Sequence, residues 1–163
     1  MKASIELIYE KYLQFPTVAT DTRTVKAGSI FFALKGANFN GNEFAAQALA
    51  SGAAYAVVDQ IEFAINEQYI LVDDVLKALQ ALANHHRKQL SIPFLGITGS
   101  NGKTTSKELI NAVLAKKFQT LATFGNLNNH IGVPLTLLGI NASHQFAIIE
   151  MGANHQKEIA ELC

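Results

Sequence analysis

The chain has 163 residues, 49% of them hydrophobic and 16% charged, which supports a buried core and excludes a disordered chain. The 13 Lys and Arg are balanced by 13 Asp and Glu, so the basic surplus that a general nucleic-acid grip needs is missing. Cys163 is the single cysteine, which rules out an internal disulfide and fits a reducing compartment.

In chain order, the first segment is MKASIELIYEKYLQF, where Glu6 and Glu10 exclude a signal peptide. No apolar run approaches the roughly 18 residues of a membrane span. The expectation is a soluble, cytoplasmic chain with no membrane or nucleic-acid partner. Ile5, Leu7, Ile8, Tyr12 and Leu13 recur at helical spacing behind Ser4, a suitable N-cap. SIFFAL, 29–34, reads as a buried strand and KGANFNGN, 35–42, as a loop. An alanine-rich helix is predicted over 43–51, closed by Gly52. AYAVVD (54–59) and YILVD (69–73) read as strands. Asp73 or Asp74 can cap a helix to about Leu90, with Val75, Leu76, Leu79 and Leu82 as its apolar face. Ser91-Ile92-Pro93 breaks that helix, which divides the chain into domains 1–90 and 91–163.

The second part alternates. FLGITG is a predicted strand, Lys103 to Lys116 a helix, FQTLATF a strand, and Pro134 to Leu138 a helix. QFAIIEMG is another strand, and a helix starts over Asn154 to Leu162. Such alternation implies an α/β fold with a parallel sheet.

Within it, GITGSNGKTTSKELI places a glycine-rich loop between a strand and an amphipathic helix carrying Leu109, Ile110, Val113 and Leu114. A loop there presents several backbone N–H groups to one anion, and the helix N-terminus adds partial positive charge. Gly99 and Gly102 admit phosphate oxygens close to the backbone. Lys103 can reach the β- and γ-phosphates, and Thr104 offers a hydroxyl to Mg²⁺. The usual pattern, G-x-x-x-x-G-K-[ST], is not fully met: Ile97 stands where its first glycine belongs, and Gly96 is one place early. The alternative is a glycine-rich turn with a chance lysine.

Glu150 ends the apolar run QFAIIE. Ligands of parallel sheets bind beyond the C-terminal strand ends, so Glu150 is expected on the same edge as Gly99 to Thr104. It can hold Mg²⁺ directly or through water, or it caps the next helix. TFGNLNNHIGVP gathers Asn126, Asn128, Asn129 and His130 on that edge. Their amides suit phosphate or adenine, and equally suit turns. Adjacent His85 and His86 do not share a helix face, and no His or Cys spacing suggests zinc.

Together TDTR, FxALKGxxFxG, TGSNGKTT, GNLNNxxGVP and EMGANxxxEI resemble the Mur ligases, in order over nearly the whole chain. Within them the first part is similar to the subgroup that adds D-alanyl-D-alanine to UDP-N-acetylmuramoyl-tripeptide in peptidoglycan synthesis. The resemblance implies a small amino-terminal α/β substrate domain, followed by the start of a P-loop parallel-sheet ATP-binding domain. It implies ATP and Mg²⁺ as cofactors, with Gly99, Ser100, Asn101, Gly102, Lys103, Thr104 and Thr105 around the phosphates. Thr104 and Glu150 would hold the metal, with Lys103 and Glu150 counted as catalytic. Asn126 and Asn129 would line the nucleotide or metal site. Thr22, Arg23, Lys35, Gly36, Asn40 and Gly41 would approach the UDP-muramoyl substrate. The family continues well past this point, so the chain is expected to be an amino-terminal piece, inactive alone, of a monomeric ligase. Lys157 departs from the glycine often found there. The alternatives are the ligase that adds the third amino acid, a more distant folate-type ligase, and a nucleotide-binding module without catalysis.

Overall fold

The computed structural model describes residues 2–153 and 158–162; Asn154, His155 and Lys157, at the expected helix start, lie outside the described residues. Two compact units result, Met1–His85 and His86–Cys163. They part inside a helix, five residues before the break expected at Ser91. The reason is local: His86 is buried, and its Nε2 lies 2.8 Å from the Ile140 carbonyl oxygen, so the end of that helix belongs to the second unit.

The first unit is built from α1 (Ile5–Gln14), β1 (Val18–Ala19), β2 (Ile30–Phe32), β3 (Lys35–Gly36), β4 (Phe39–Asn40), α2 (Ala45–Ala50), β5 (Tyr55–Val58), β6 (Tyr69–Leu71) and α3 (Val75–Gln89). Ser4 caps α1 by accepting from the Leu7 N–H, and Asp74 accepts from the Lys77 N–H at the start of α3. β1, β2, β5 and β6 form one sheet in that order, every pair parallel, with Phe31 opposite Ala56 and Val57 opposite Ile70. One pleat, Phe31, Ala56 and Val58, packs with Ala45 and Ala48 of α2. The other pleat, Ile30, Phe32 and Val57, is equally buried. Both faces are therefore covered, as a parallel sheet requires, and the strands read as continuous apolar runs for that reason.

Two expectations need correction here. The stretch 35–42 is not a plain loop: β3 and β4 pair as an antiparallel hairpin, Lys35 opposite Asn40 and Gly36 opposite Phe39. A 3₁₀ turn over Gly41–Phe44 then leads into α2. In α1 only Ile8 and Tyr12 are buried, while Leu7 and Leu13 are exposed, so its apolar stripe is narrower than the spacing suggested.

The second unit holds β7 (Phe94–Ile97), α4 (Lys103–Leu114), β8 (Thr120–Ala122), α5 (Gly132–Leu138), β9 (Phe146–Glu150) and α6 (Glu158–Leu162). Its sheet has the order β7-β9-β8, all parallel, with Ile97 opposite Glu150 and Ala122 opposite Ile148. Val133, Ile140, Ala147, Ile149 and Met151 form its core, joined by Phe94, Leu121 and Leu137. The amphipathic reading of α4 is overturned in part. Leu109 and Val113 are exposed, and the buried residue of that helix is a lysine, Lys107. Among the described residues no helix is long and apolar enough to cross a membrane.

Candidate nucleotide and substrate sites

In the second unit the parallel sheet delivers three loops to one edge. Residues 98–102 follow β7, 123–131 follow β8, and Glu150 is the last residue of β9. That edge is where open α/β sheets bind ligands. Gly99 (φ 144°) and Gly102 (φ 77°) take the left-handed backbone that side chains avoid. A Cβ at Gly102 would meet nothing within 4 Å, so the space before the helix is open. Gly102 is the N-cap of α4 and no side chain caps it, which leaves the first N–H groups of the helix for a ligand. Gly96, one place early for the loop pattern, does other work: Met151 Cε would lie 2.9 Å from a Cβ there.

The side chains converge on Glu150. Lys103 Nζ donates to the Gly99 carbonyl at 2.6 Å and so folds back over its own loop. Thr104 Oγ1 donates to Glu150 Oε1 at 3.1 Å, and Asn128 Nδ2 donates to the same oxygen at 2.8 Å. The Glu150 backbone N–H donates to Thr123 Oγ1 at 2.9 Å. Glu150 is 1% exposed. Its Oε2 is buried and accepts no hydrogen bond among the described residues. It lies 3.8 Å from the ammonium of Lys107, whose side chain is wholly buried. Ser100, Asn101, Thr104 and Thr105 are exposed around the loop.

The asparagines divide the work differently from the expectation. Asn129 Oδ1 accepts from the N–H groups of Ile131 and Gly132, at 3.1 and 2.8 Å, so it holds the start of α5. Asn126 is exposed, and its carbonyl accepts from the Asn128 N–H at 2.7 Å. Asn128 is the one that touches the acid. Its carbonyl also accepts from the Gly152 N–H at 2.7 Å, tying the loop after β8 to the end of β9. Asn128 is among the loop residues expected on this edge, though Asn126 and Asn129 are preferred to it there; Thr123 and Lys107 are the site residues that sequence reasoning missed.

In the first unit the loops after β1, β2 and β5 again share the C-terminal edge. An open groove of about 460 Å³ is lined there by Thr22, Arg23, Phe39, Gly41, Phe44 and Gln47, among others. Phe39 and Phe44 are exposed in it. The Arg23 guanidinium is held by the Asp21 carboxylate through Nε at 2.9 Å and Nη2 at 2.5 Å. The side-chain and backbone N–H bonds from Arg23 hold the Asp21 carboxyl down to about 2. Lys35 and Asn40 point elsewhere, into a polar cluster under the hairpin. Lys35 Nζ pairs with Asp59 Oδ2 at 2.8 Å, and the Asp59 side chain is 1% exposed. Asn42 Nδ2 donates to Asp59 Oδ1 at 2.9 Å and to Asn40 Oδ1 at 2.8 Å. Asn40 Nδ2 donates to Gln60 Oε1 at 2.7 Å. Burial pushes the Asp59 carboxyl up, but the bonds from Lys35, Asn42 and the Val75 N–H outweigh it and leave the pKa below the ordinary value. Gly36 lies under the Phe39 ring, where a Cβ would come within 2.2 Å of Cε1. The structure thus gathers Thr22, Arg23 and Gly41 at the groove, and places Lys35, Gly36 and Asn40 in the hairpin that carries Phe39.

Known proteins resemble this chain in sequence and fold. The chain is 44% identical over 144 residues to the UDP-N-acetylmuramoyl-tripeptide–D-alanyl-D-alanine ligase of Bacillus subtilis, covering 87% of this chain and 32% of that protein. It is 45% identical over 143 residues to the enzyme of the same name from Escherichia coli, covering 88% and 31%. A solved structure of the corresponding Acinetobacter baumannii ligase superposes with a TM-score of 0.82 at 40% identity, over 90% of this chain and 33% of that one. The MurF ligase of Thermotoga maritima, solved in complex with ADP, gives 0.82 at 31% identity, over 93% and 35%. The chain spans about a third of the length of the curated relatives it matches. The model of the Mur ligase family catalytic domain matches residues 15–87 and that of the Mur ligase middle domain residues 97–163, so the chain belongs to the Mur ligase family.

Proposed function

We propose that this chain carries the UDP-muramoyl-substrate groove and the ATP phosphate site of a ligase that joins D-alanyl-D-alanine to UDP-N-acetylmuramoyl-tripeptide. The observation that carries the reading is the contact of Thr104 with Glu150, made where an uncapped helix N-terminus and Lys103 face the same edge. The relatives' shared name supports the choice of substrates.

The donor set fits Mg²⁺. Thr104 and Glu150 offer hard oxygens 3.1 Å apart, and Mg²⁺ prefers few protein ligands, with phosphate oxygens and water completing its shell. Glu150 stands behind Thr104 and Asn128, so it would hold the ion through a water, or by exchanging one of those hydrogen bonds. Bound there, Mg²⁺ supplies charge neutralisation to the transferring phosphate.

The protein's own groups bind and position. Backbone N–H groups of 99–104 cradle the phosphate oxygens, and Lys103 exchanges the Gly99 carbonyl for phosphate. The tripeptide's terminal carboxylate attacks the γ-phosphorus, the bond to the β–γ bridging oxygen breaks, and ADP leaves. The acyl phosphate formed gives the carboxyl carbon a good leaving group. The amine of D-alanyl-D-alanine adds to that carbon, loses a proton, and expels inorganic phosphate. Positioning and electrostatics are what such a step asks of a protein. In the first unit, Phe39 and Phe44 would take the flat uracil, and Arg23 the diphosphate.

The test is amine-dependent phosphate release by the full-length protein, given ATP, Mg²⁺ and the UDP-linked peptide. D-alanyl-D-alanine should drive release. Release driven by a diamino acid on the dipeptide substrate, or by glutamate on a folate, would replace this reading by that of a sister ligase.

A further inference from the structure

Lys107 is a side chain the nucleotide reading does not use. It lies on α4, one turn past Lys103 and Thr104, and is 0% exposed. A buried lysine needs compensation for its lost hydration. Its Nζ donates to the Thr123 carbonyl at 2.6 Å, pairs with Glu108 Oε1 at 2.9 Å, and lies 3.8 Å from Glu150 Oε2. Glu150 Oε2 accepts no hydrogen bond among the described residues. The nearby ammonium is therefore what balances that half of the carboxylate. Thr123, 1% exposed, completes the arrangement, since its Oγ1 accepts from the Glu150 N–H at 2.9 Å.

We propose that Lys107 is a positioning residue for Glu150. It holds Oε2 inward by charge, which turns Oε1 outward to Thr104 and Asn128, and through Thr123 it fixes the strand ends beside it. Helix α4 would then supply both the phosphate-binding groups at its start and, one turn on, the counter-charge that aims the acid. The inference rests on the nucleotide–metal reading of the site.

Two outcomes of removing the charge are opposed in sign. If Lys107 only competes with a cation for Glu150, its loss tightens metal binding. If it positions Glu150, its loss weakens metal binding, because a buried carboxylate oxygen that loses its counter-charge turns away and carries Oε1 out of place.

The experiment is Mn²⁺ titration of the full-length protein saturated with ADP, read by electron paramagnetic resonance, beside ADP titration in EDTA. Lys107→Met should raise the Mn²⁺ Kd by about tenfold, the usual scale for a group that orients a metal ligand. Metal-free ADP affinity should stay within about twofold, and Lys107→Arg should recover most of the loss. Lys107→Met combined with Glu150→Gln should bind Mn²⁺ no worse than Glu150→Gln alone, because the two act through one carboxylate. Unchanged or tighter Mn²⁺ binding in Lys107→Met overturns the proposal. Should Lys107→Met fail to fold, thermal melting decides: the double variant must regain part of the lost Tm, and a double variant equally unfolded also overturns it. A wild-type protein that binds neither ADP nor Mn²⁺–ADP would instead overturn the nucleotide reading itself.

Discussion

Thr104 Oγ1 meets Glu150 Oε1 at 3.1 Å across 46 residues of sequence. One belongs to the first turn of the helix behind the glycine loop, the other to the last position of the central strand of its sheet. Parallel pairing of β7 with β9 sets Ile97 opposite Glu150, so the loop leaving Ile97 starts level with the acid. The register of two strands thus decides that a hydroxyl and a carboxylate share one space.

Glu150→Ala should raise the Mg²⁺ concentration needed for half-maximal ligation by about tenfold, as loss of a metal-holding group typically does. The KM for the UDP-linked peptide should not change. An unaltered Mg²⁺ titration would return Glu150 to a purely structural part, fixing Thr104 and Asn128.

Lys103→Ala removes the cation that Gly99 now holds at 2.6 Å. Ligation should fall by about 100- to 1000-fold or more, the scale for losing one group that stabilises developing charge. UDP-substrate binding, measured by calorimetry, should persist, because the groove lies in the first unit. Near-normal turnover would sink the phosphate-loop assignment.

Much of this was legible in the residues. A glycine-rich loop between an apolar run and a helix is a local pattern, and the alternation of strands and helices fixed the edge on which Glu150 lies. What was not legible depends on distance. Lys107, in TTSKELI, reads as a solvated helical lysine, and only the packing of α4 beside β8 and β9 shows it buried. In NLNN nothing local distinguishes Asn128, which reaches Glu150, from Asn129, which holds the start of α5. β1, β3 and β4 are two residues each, too short for alternation to register. The pairing of Lys35 with Asp59 is equally hidden in the sequence, because the two stand 24 positions apart and become adjacent only through the fold.

Arg23→Ala should weaken binding of UDP by about 10- to 100-fold, the worth of a charge-assisted contact to a diphosphate. Folding should be unaffected, since the Asp21–Arg23 pair is exposed and such pairs contribute little. The same variant should raise the Asp21 pKa from about 2. It should stop short of the ordinary value, because the backbone N–H of residue 23 still donates to Asp21. Carboxyl carbon chemical shifts followed against pH would show both. An unmoved UDP affinity would take Arg23 out of the substrate site.

Asp59 gives the first unit an acid-sensitive tie between β5, the hairpin and α3. Its carboxyl is 1% exposed, paired with Lys35 and bonded by Asn42 and the Val75 N–H, at 3.4 Å for the last. Its folded pKa lies below the ordinary carboxylate value. A lowered folded pKa means the stabilisation is present above the unfolded pKa of about 3.9 and is lost as pH falls through the folded one. Asp59→Asn keeps the shape and removes the charge. Lys35 is half-exposed and can turn to water, so the cost at pH 7 should be about 2 kcal/mol, below that of breaking a fully buried pair. Urea unfolding at pH 7 should show that gap between variant and wild type. Repeated below about pH 3, the gap should narrow, because the wild type then carries a protonated Asp59 and has lost the same pair. A gap that stays constant with pH would mean that Asp59 acts through its hydrogen bonds to Asn42 and Val75 and that its charge toward Lys35 contributes nothing.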